Sequence, residues 1–243
     1  MNSFNDYLNL VKGNKNIVFL TGAGISTLSG IKDFRSADGL FNENNDISPE
    51  TILSTEYFYE KPKEFFDYYR KVFDVRNYEP NVIHKHIANL ENEGKNVFII
   101  TQNVDGLHTK AGSTNVIEFH GTINKNNCLS CGKEYDADFV FSTNGIPKCE
   151  CGGIVKPRIT LYGEMPEHIK EAQRFVHRAD VLVAIGSSLL VSPANTYIYD
   201  ALYYGTPVVI INKESTPFDR YATVLINDDF RNIFKDSFWY ASF

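Results

Sequence analysis

The stretch NIVFLTGAGISTLSGIKDFRS, residues 16–36, decides the fold. It opens with a nearly unbroken apolar run, residues 16–20, and then breaks at Gly22 and Gly24. A strand with one wet face alternates apolar and polar side chains, whereas a strand covered on both faces reads as a continuous apolar run. Three further runs share this character: residues 96–100 before TQN, 181–185 before GSS, and 208–211 before Asn212. Helix-forming stretches at 62–75, 83–93 and 166–179 lie between them. The alternation predicts an α/β chain with a Rossmann-like, doubly wound parallel sheet.

Two stretches interrupt the pattern. Residues 36–85 are rich in aromatics and helix formers, and residues 122–157 hold all four cysteines among turn signals such as Asn144-Gly145 and Gly152-Gly153. The expected organisation is a sheet domain of residues 1–35, 86–121 and 158–243. Its smaller lobe combines a helical insertion, 36–85, with a metal-binding module, 122–157, across a cleft.

The 243 residues are 43% hydrophobic and 22% charged, as expected of a folded globular chain rather than a disordered one. A net charge of −6 disfavours a general nucleic-acid binder. No apolar run approaches the roughly 20 residues that span a bilayer, so no membrane role is expected. The first residues, MNSFNDYLNLVKGNKN, lack the cationic start and apolar core of a signal peptide. With clustered cysteines besides, a reducing cytoplasm is the expected compartment.

At the first turn, glycines allow backbone N–H groups to approach a phosphate, and a helix start favours its charge. The fingerprint G-x-G-x-x-G is incomplete, because Thr27 stands at its third glycine and no acidic residue closes a second strand about 20 residues on. Asp33, Phe34 and Arg35 follow, placing an acid, an aromatic and a base together.

With those residues in view, GAGISTLSGIKDFRS is similar to the sirtuin signature GAGxSxxSGIxDFR. TQNVDGLH, residues 101–108, resembles the second signature, TQNxDxLH; His120-Gly121 resembles the catalytic His-Gly. Tyr162-Gly163-Glu164 resembles the substrate-strand F-G-E, and GSSLLVSP, residues 186–193, resembles GTSLxVxP. The motifs run in family order over nearly the whole chain.

The resemblance implies an NAD-dependent protein-lysine deacylase. Acyl-lysine and NAD would give lysine, nicotinamide and O-acyl-ADP-ribose. Nicotinamide leaves neutral, so no strong general acid is needed, but a ribose hydroxyl needs a base titrating near neutrality. His120 is the implied base. Gly22, Ala23, Gly24, Ser26 and Thr27 would form the phosphate turn. By the same resemblance, Asp33 belongs to the NAD site, Phe34 screens the ribose, and Arg35 supports the diphosphate. Gln102 would contact the ribose side, and Asn103, catalytic beside His120, would help position the ribose or an attacking water. Asp105, with the Val104 backbone beside it, would hold the nicotinamide amide. Ser187 and Ser188 would serve the phosphates, Asn212 the adenosine ribose, and Asp229 the adenine. His108 would orient its loop, while His84, His86, His168 and His177 match no motif and are expected to be structural.

Cys128-x-x-Cys131 and Cys149-x-Cys151 suit one structural zinc, since four thiolates leave no open position. The second pair is one residue shorter than the family's usual C-x-x-C. A disulfide is the competing reading, disfavoured in a reducing compartment. Aligning the helical insertion puts Phe66 and Tyr69 where acidic-acyl enzymes of the family carry Tyr-x-x-Arg. Acetyl is therefore the expected acyl group, with longer neutral acyls open. The peptide would add a strand along Tyr162, Gly163 and Glu164 and at Val191. The expected partners are acyl-lysine proteins or peptides, and the chain is expected to be a monomer. Mono-ADP-ribosyl transfer and a nonenzymatic NAD-sensing module are the competing readings. A Rossmann dehydrogenase fits least.

Overall fold

The structure, a computed structural model, describes residues 3–36, 39–40 and 47–235. The rest of the expected helical insertion, 37–38 and 41–46, lies outside the described residues.

Six strands form one parallel sheet in the order β3-β2-β1-β7-β8-β9. They are β1 (Asn16–Thr21), β2 (Asn96–Thr101), β3 (Val116–Glu118), β7 (Val181–Ile185), β8 (Val208–Asn212) and β9 (Val224–Asn227). The four expected apolar runs are the four central strands. In β1, Ile17 and Phe19 enter one core while Val18 and Leu20 enter the other. Both faces are covered, which is why the run does not alternate. The first core is roofed by α1 (Phe4–Gly13), α5 (Val82–Asn92) and α10 (Phe230–Ile233), the second by α8 (Ile169–Val176) and α9 (Thr196–Tyr203). Helix α8 is shorter than the expected 166–179, because His168 takes a left-handed backbone (φ 62°) at its start.

A third core joins the two insertions. Phe58 of α3 (Thr55–Glu60) and Phe65, Phe66, Tyr69 and Phe73 of α4 (Pro62–Phe73) pack with Ile123, Val140, Phe141, Val155 and Ile159. The latter belong to an antiparallel sheet, β4 (Gly121–Cys128), β5 (Glu134–Tyr135) and β6 (Val155–Ile159), and to α7 (Ala137–Ser142). The remaining one-turn helices are α2 (Pro49–Ile52) and α6 (Leu107–Lys110). The described parts of 36–85 and 122–157, remote in sequence, thus bury apolar side chains against each other.

Sheet order reverses between β1 and β7, the point at which open parallel sheets leave a crevice beyond their carboxyl ends. The turn after β1 and the loop after β7 both open there. Among the described residues, no helix is long and apolar enough to cross a membrane.

Candidate active site

The turn after β1 is a 3-10 helix, Ala23–Ser29, rather than the α-helix start expected from its glycines. Those glycines serve close approach. A Cβ at Gly22 would lie 2.7 Å from the Gly186 carbonyl oxygen, and one at Gly24 2.8 Å from it. The Gly22 N–H donates to the Ile185 carbonyl (3.1 Å) and the Gly24 N–H to that of Gly186 (2.9 Å). The neighbouring strand end thus already uses these two N–H groups. Ala23 N–H, between them, has no partner among the described residues and is the donor left for an anion. Thr27, at the place of the third glycine, donates its hydroxyl to the Gly24 carbonyl (2.8 Å) and braces the turn from inside.

Across the crevice, Ser187 Oγ accepts from Gln102 Nε2 (2.9 Å) and from Leu189 N–H (3.2 Å). With both lone pairs occupied, its own proton remains to be given outward, which suits a phosphate oxygen. Ser188 is half-buried beside it.

The loop after β2 is locked to the turn. Asn103, buried, donates Nδ2 to the Gly22 carbonyl (3.2 Å) and to Ser26 Oγ (3.1 Å). Ser26 Oγ donates to Asp105 Oδ2 (2.7 Å), and Asp105 Oδ1 accepts the Leu107 N–H (2.9 Å). Burial raises the Asp105 carboxyl above its usual value, although the bonds from Leu107 and Ser26 oppose the shift. The Val104 carbonyl accepts from Ile123 N–H, tying this loop to the smaller sheet (3.0 Å).

His120 sits two residues beyond β3. Its Nδ1–H donates to the Gln102 carbonyl (3.2 Å), and its ring lies 5.4 Å from that of Phe119. A carbonyl only accepts, so Nδ1 holds the proton and Nε2 holds the lone pair. Burial pushes the His120 pKa down, with the Gln102 bond opposing. An acid limb set by this ring therefore lies below 6.5, the ordinary histidine value.

Asp33 folds its own loop, with Oδ1 accepting the Ser36 N–H (2.9 Å). Phe34 packs toward the smaller lobe, its ring 6.3 Å from Phe73. Arg35 lies 3.8 Å from Glu50. Asn212 ends β8 with Nδ2 on the Glu214 carbonyl (2.8 Å). Asp229 caps α10, with Oδ1 accepting the Arg231 N–H (2.8 Å), so this carboxylate has a local structural task.

The four cysteine sulfurs lie within 4.8 Å of one another. Cys128 and Cys151 stand 3.5 Å apart, and Cys131 and Cys149 stand 3.6 Å apart. A disulfide needs about 2.05 Å. Sulfurs about 2.3 Å from a shared tetrahedral zinc stand roughly 3.8 Å apart, so the spacing fits the metal. The shorter second pair closes a tighter knuckle: Gly152 N–H returns to the Cys149 carbonyl three residues back, whereas Gly132 N–H returns to the Cys128 carbonyl four back.

A family model described as Sir2 family matches residues 22–193. An NAD-dependent protein deacetylase of Clostridium tetani is 46% identical over 230 residues, covering 92% of each chain. This chain belongs to the Sir2 family. A second such deacetylase, from Staphylococcus epidermidis, is 40% identical over 93% of each chain. Among solved structures, a Sir2–p53 peptide–NAD+ complex matches with TM-score 0.83 at 35% identity, covering 93% of both chains. Another, Sir2 with a deacetylated p53 peptide and 3′-O-acetyl ADP ribose, reaches TM-score 0.90 at 32% identity over 98% of both.

In this Sir2 chain the expected peptide edge is partly used. Tyr162 N–H donates to the Leu53 carbonyl (3.0 Å), and Thr55 N–H donates to the Tyr162 carbonyl (2.9 Å). Glu164 accepts from Leu161 N–H (2.9 Å) and Lys156 Nζ (3.2 Å), bracing the loop. The Tyr162 backbone is thus already paired within the chain on both sides. Asn81, outside every Sir2 signature, holds the Ile25 carbonyl and Ser29 Oγ through Nδ2 (2.8 and 2.9 Å). Its one sequence signal is Asn before an apolar helical run, a helix-capping residue.

Proposed function

We propose that this chain is an NAD-dependent protein-lysine deacetylase in which His120 is the catalytic base. The observation that carries this reading is the uncommitted Nε2 of His120, beside a phosphate-ready turn at the sheet's switch point. The name of its Clostridium tetani relative supports it. NAD, when bound, supplies an ADP-ribosyl carbon from which nicotinamide departs as a neutral molecule. Ala23 N–H and the Ser187 hydroxyl, with Gly22, Gly24 and Ser188 around them, hold the diphosphate. Asp105 holds the nicotinamide amide beside Val104, and Ser26 and Asn103 fix that carboxylate. Phe34 keeps water from the reacting ribose, while Arg35 and Asp33 hold the loop that carries it. Gln102 fixes the His120 tautomer through its carbonyl and Ser187 through its amide. With the acyl oxygen bonded to the ribose carbon in nicotinamide's place, His120 Nε2 would take the proton of a ribose hydroxyl, whose oxygen would bond the acyl carbon as the lysine amine departs. Asn212 serves the adenosine ribose, with Asp229 at the outer end of the site.

The chain divides functionally into an NAD-binding domain (1–35, 86–121 and 158–243) and a small lobe (36–85 and 122–157), with the shared third core supporting that lobe. One structural zinc on Cys128, Cys131, Cys149 and Cys151 organises it. The acyl-lysine peptide lies between lobes, along Gly163 and Val191. Phe66 and Tyr69 are fully buried in the lobe core and offer no cation to an acyl carboxylate. The protein works as a monomer in the cytoplasm.

The test is mass-spectrometric conversion of an acetyl-lysine peptide with NAD. NAD-dependent loss of the acetyl group is expected, with a succinyl-lysine peptide turned over at least about tenfold more slowly. No conversion of the acetyl peptide, or a preference for succinyl, contradicts the reading.

A further inference from the structure

His84 and His108 are buried and take no part in the chemistry above. Their rings meet edge-on, with centroids 5.0 Å apart and planes at 65°. His84 stands in the first turn of α5, where its Nδ1 accepts the Asn81 backbone N–H (3.4 Å). A nitrogen that accepts carries no proton, so neutral His84 bears its hydrogen on Nε2. That Nε2 is buried without a hydrogen-bond partner among the described residues. His108 shares a 3.0 Å hydrogen bond between Nε2 and Thr21 Oγ1, and its Nδ1 is likewise buried without a partner. Burial holds both rings neutral, lowering His84 to about 4 and His108 well below its ordinary value.

One tautomer of His108 complements that of His84. With hydrogen on Nε2 in both rings, His84 Nε2 is a donor, His108 Nδ1 is an acceptor and His108 Nε2–H donates to Thr21 Oγ1, while the two rings meet edge-on without a hydrogen bond between them. The opposite tautomer of His108 leaves two buried donors, His84 Nε2–H and His108 Nδ1–H, with no acceptor. The pair also has a definite place in the fold. Thr21 ends β1 immediately before Gly22. Asn81, at the other end of the path, holds the Ile25 carbonyl and Ser29 Oγ. Hydrogen bonds run from Thr21 to His108 and from His84 through Asn81 to Ser29, and the edge-on contact of the two rings joins them, from the start of the 3-10 turn to its finish.

We propose that His84 and His108 are positioning residues: a neutral pair, each with its hydrogen on Nε2, that clamps the turn from Gly22 to Ser29. The clamp sets the affinity for the NAD diphosphate without touching it. This rests on the assignment of that turn to NAD; the tautomers themselves do not.

The first test is a long-range proton–nitrogen imidazole NMR spectrum of the zinc-loaded full chain near neutral pH. Both rings are expected neutral and in the Nε2–H form, and His108→Phe is expected to shift the His84 nitrogens. An Nδ1–H tautomer or an imidazolium in either ring overturns the pair. The second test is steady-state kinetics. His84→Phe is expected to raise KM for NAD about tenfold, with kcat and the peptide KM changed by less than about twofold, because one buried polar partner is lost outside the reacting groups. His84→Gln, which restores an acceptor and a donor, is expected to recover most of that loss. A folded His84→Phe enzyme with unchanged KM for NAD overturns the clamp. If the variant does not fold, the wild-type tautomers decide. A chain that never turns over NAD defeats the functional reading while the spectrum still tests the pair.

Discussion

The Gln102 carbonyl sets which nitrogen of His120 is available. By taking Nδ1–H it leaves the Nε2 lone pair for a ribose hydroxyl. Only neutral imidazole accepts that proton, so activity falls as pH drops through the His120 pKa. Burial lowers that pKa, which puts the acid limb of kcat/KM below 6.5, the ordinary value for histidine. A pH–rate profile whose limb lies at or above 6.5 contradicts the assigned environment. The sequence identifies His120 through the His120-Gly121 pair of the family motif. It does not reveal the depressed pKa, because the walls that desolvate the ring arrive from distant segments. The same holds for Gly22 and Gly24. Their spacing marks a tight turn, but only the fold shows that their N–H groups belong to Ile185 and Gly186.

At the scale of elements, two close approaches are open to test. The carbonyl of Gly186 lies against the turn after β1, and a Cβ at Gly24 would meet backbone at 2.8 Å. Gly24→Ala is expected to push the turn from the β7 loop and raise KM for NAD about tenfold or more, since backbone on both sides leaves little room to relax. Steady-state kinetics with NAD varied checks this, and an unchanged KM argues against the packing. In the cysteine knuckles, a Cβ at Gly153 would fall 2.7 Å from Cys128 Sγ. Gly153→Ala and Cys128→Ala are both expected to lower bound zinc and thermal stability, measured by metal analysis and calorimetry. Full metal content in Cys128→Ala rejects the site. The spacing of the cysteines makes the site legible in sequence. The tighter Cys149-x-Cys151 knuckle shows its consequence only in the backbone, where the turn closes one residue sooner.

For the whole molecule, the central strands are legible because helices cover both faces and leave no polar alternation. Edge strand β9 escapes notice, since VLIN is short and partly exposed. Helix α9, TYIYDALY, escapes for another reason: its aromatic and β-branched residues are weak helix formers, and packing of Tyr197, Ile198 and Ala201 makes it. Folding also buries histidines in neutral form. His84 and His86 fall to about 4, with His86 Nε2 and the Tyr7 hydroxyl sharing a 2.9 Å hydrogen bond. Unfolded histidine takes up its proton near 6.5, so stability is full above that pH and declines as pH falls toward 4. The decline is about 1.4 kcal/mol per pH unit for each such residue. Asp105 and Glu118, raised by burial, act in the opposite sense. Urea unfolding between pH 7.5 and pH 5 is expected to show net destabilisation on acidification, and a flat profile contradicts the neutral burial of these rings.

The most direct measurement of the central claim is release of nicotinamide from NAD with and without an acetyl-lysine peptide, read alongside peptide deacetylation in wild type and His120→Ala. Release that depends on the peptide is expected, with deacetylation reduced about a hundredfold or more in the variant, the usual contribution of a positioned base. Robust deacetylation by His120→Ala, or nicotinamide release indifferent to the peptide, contradicts the account.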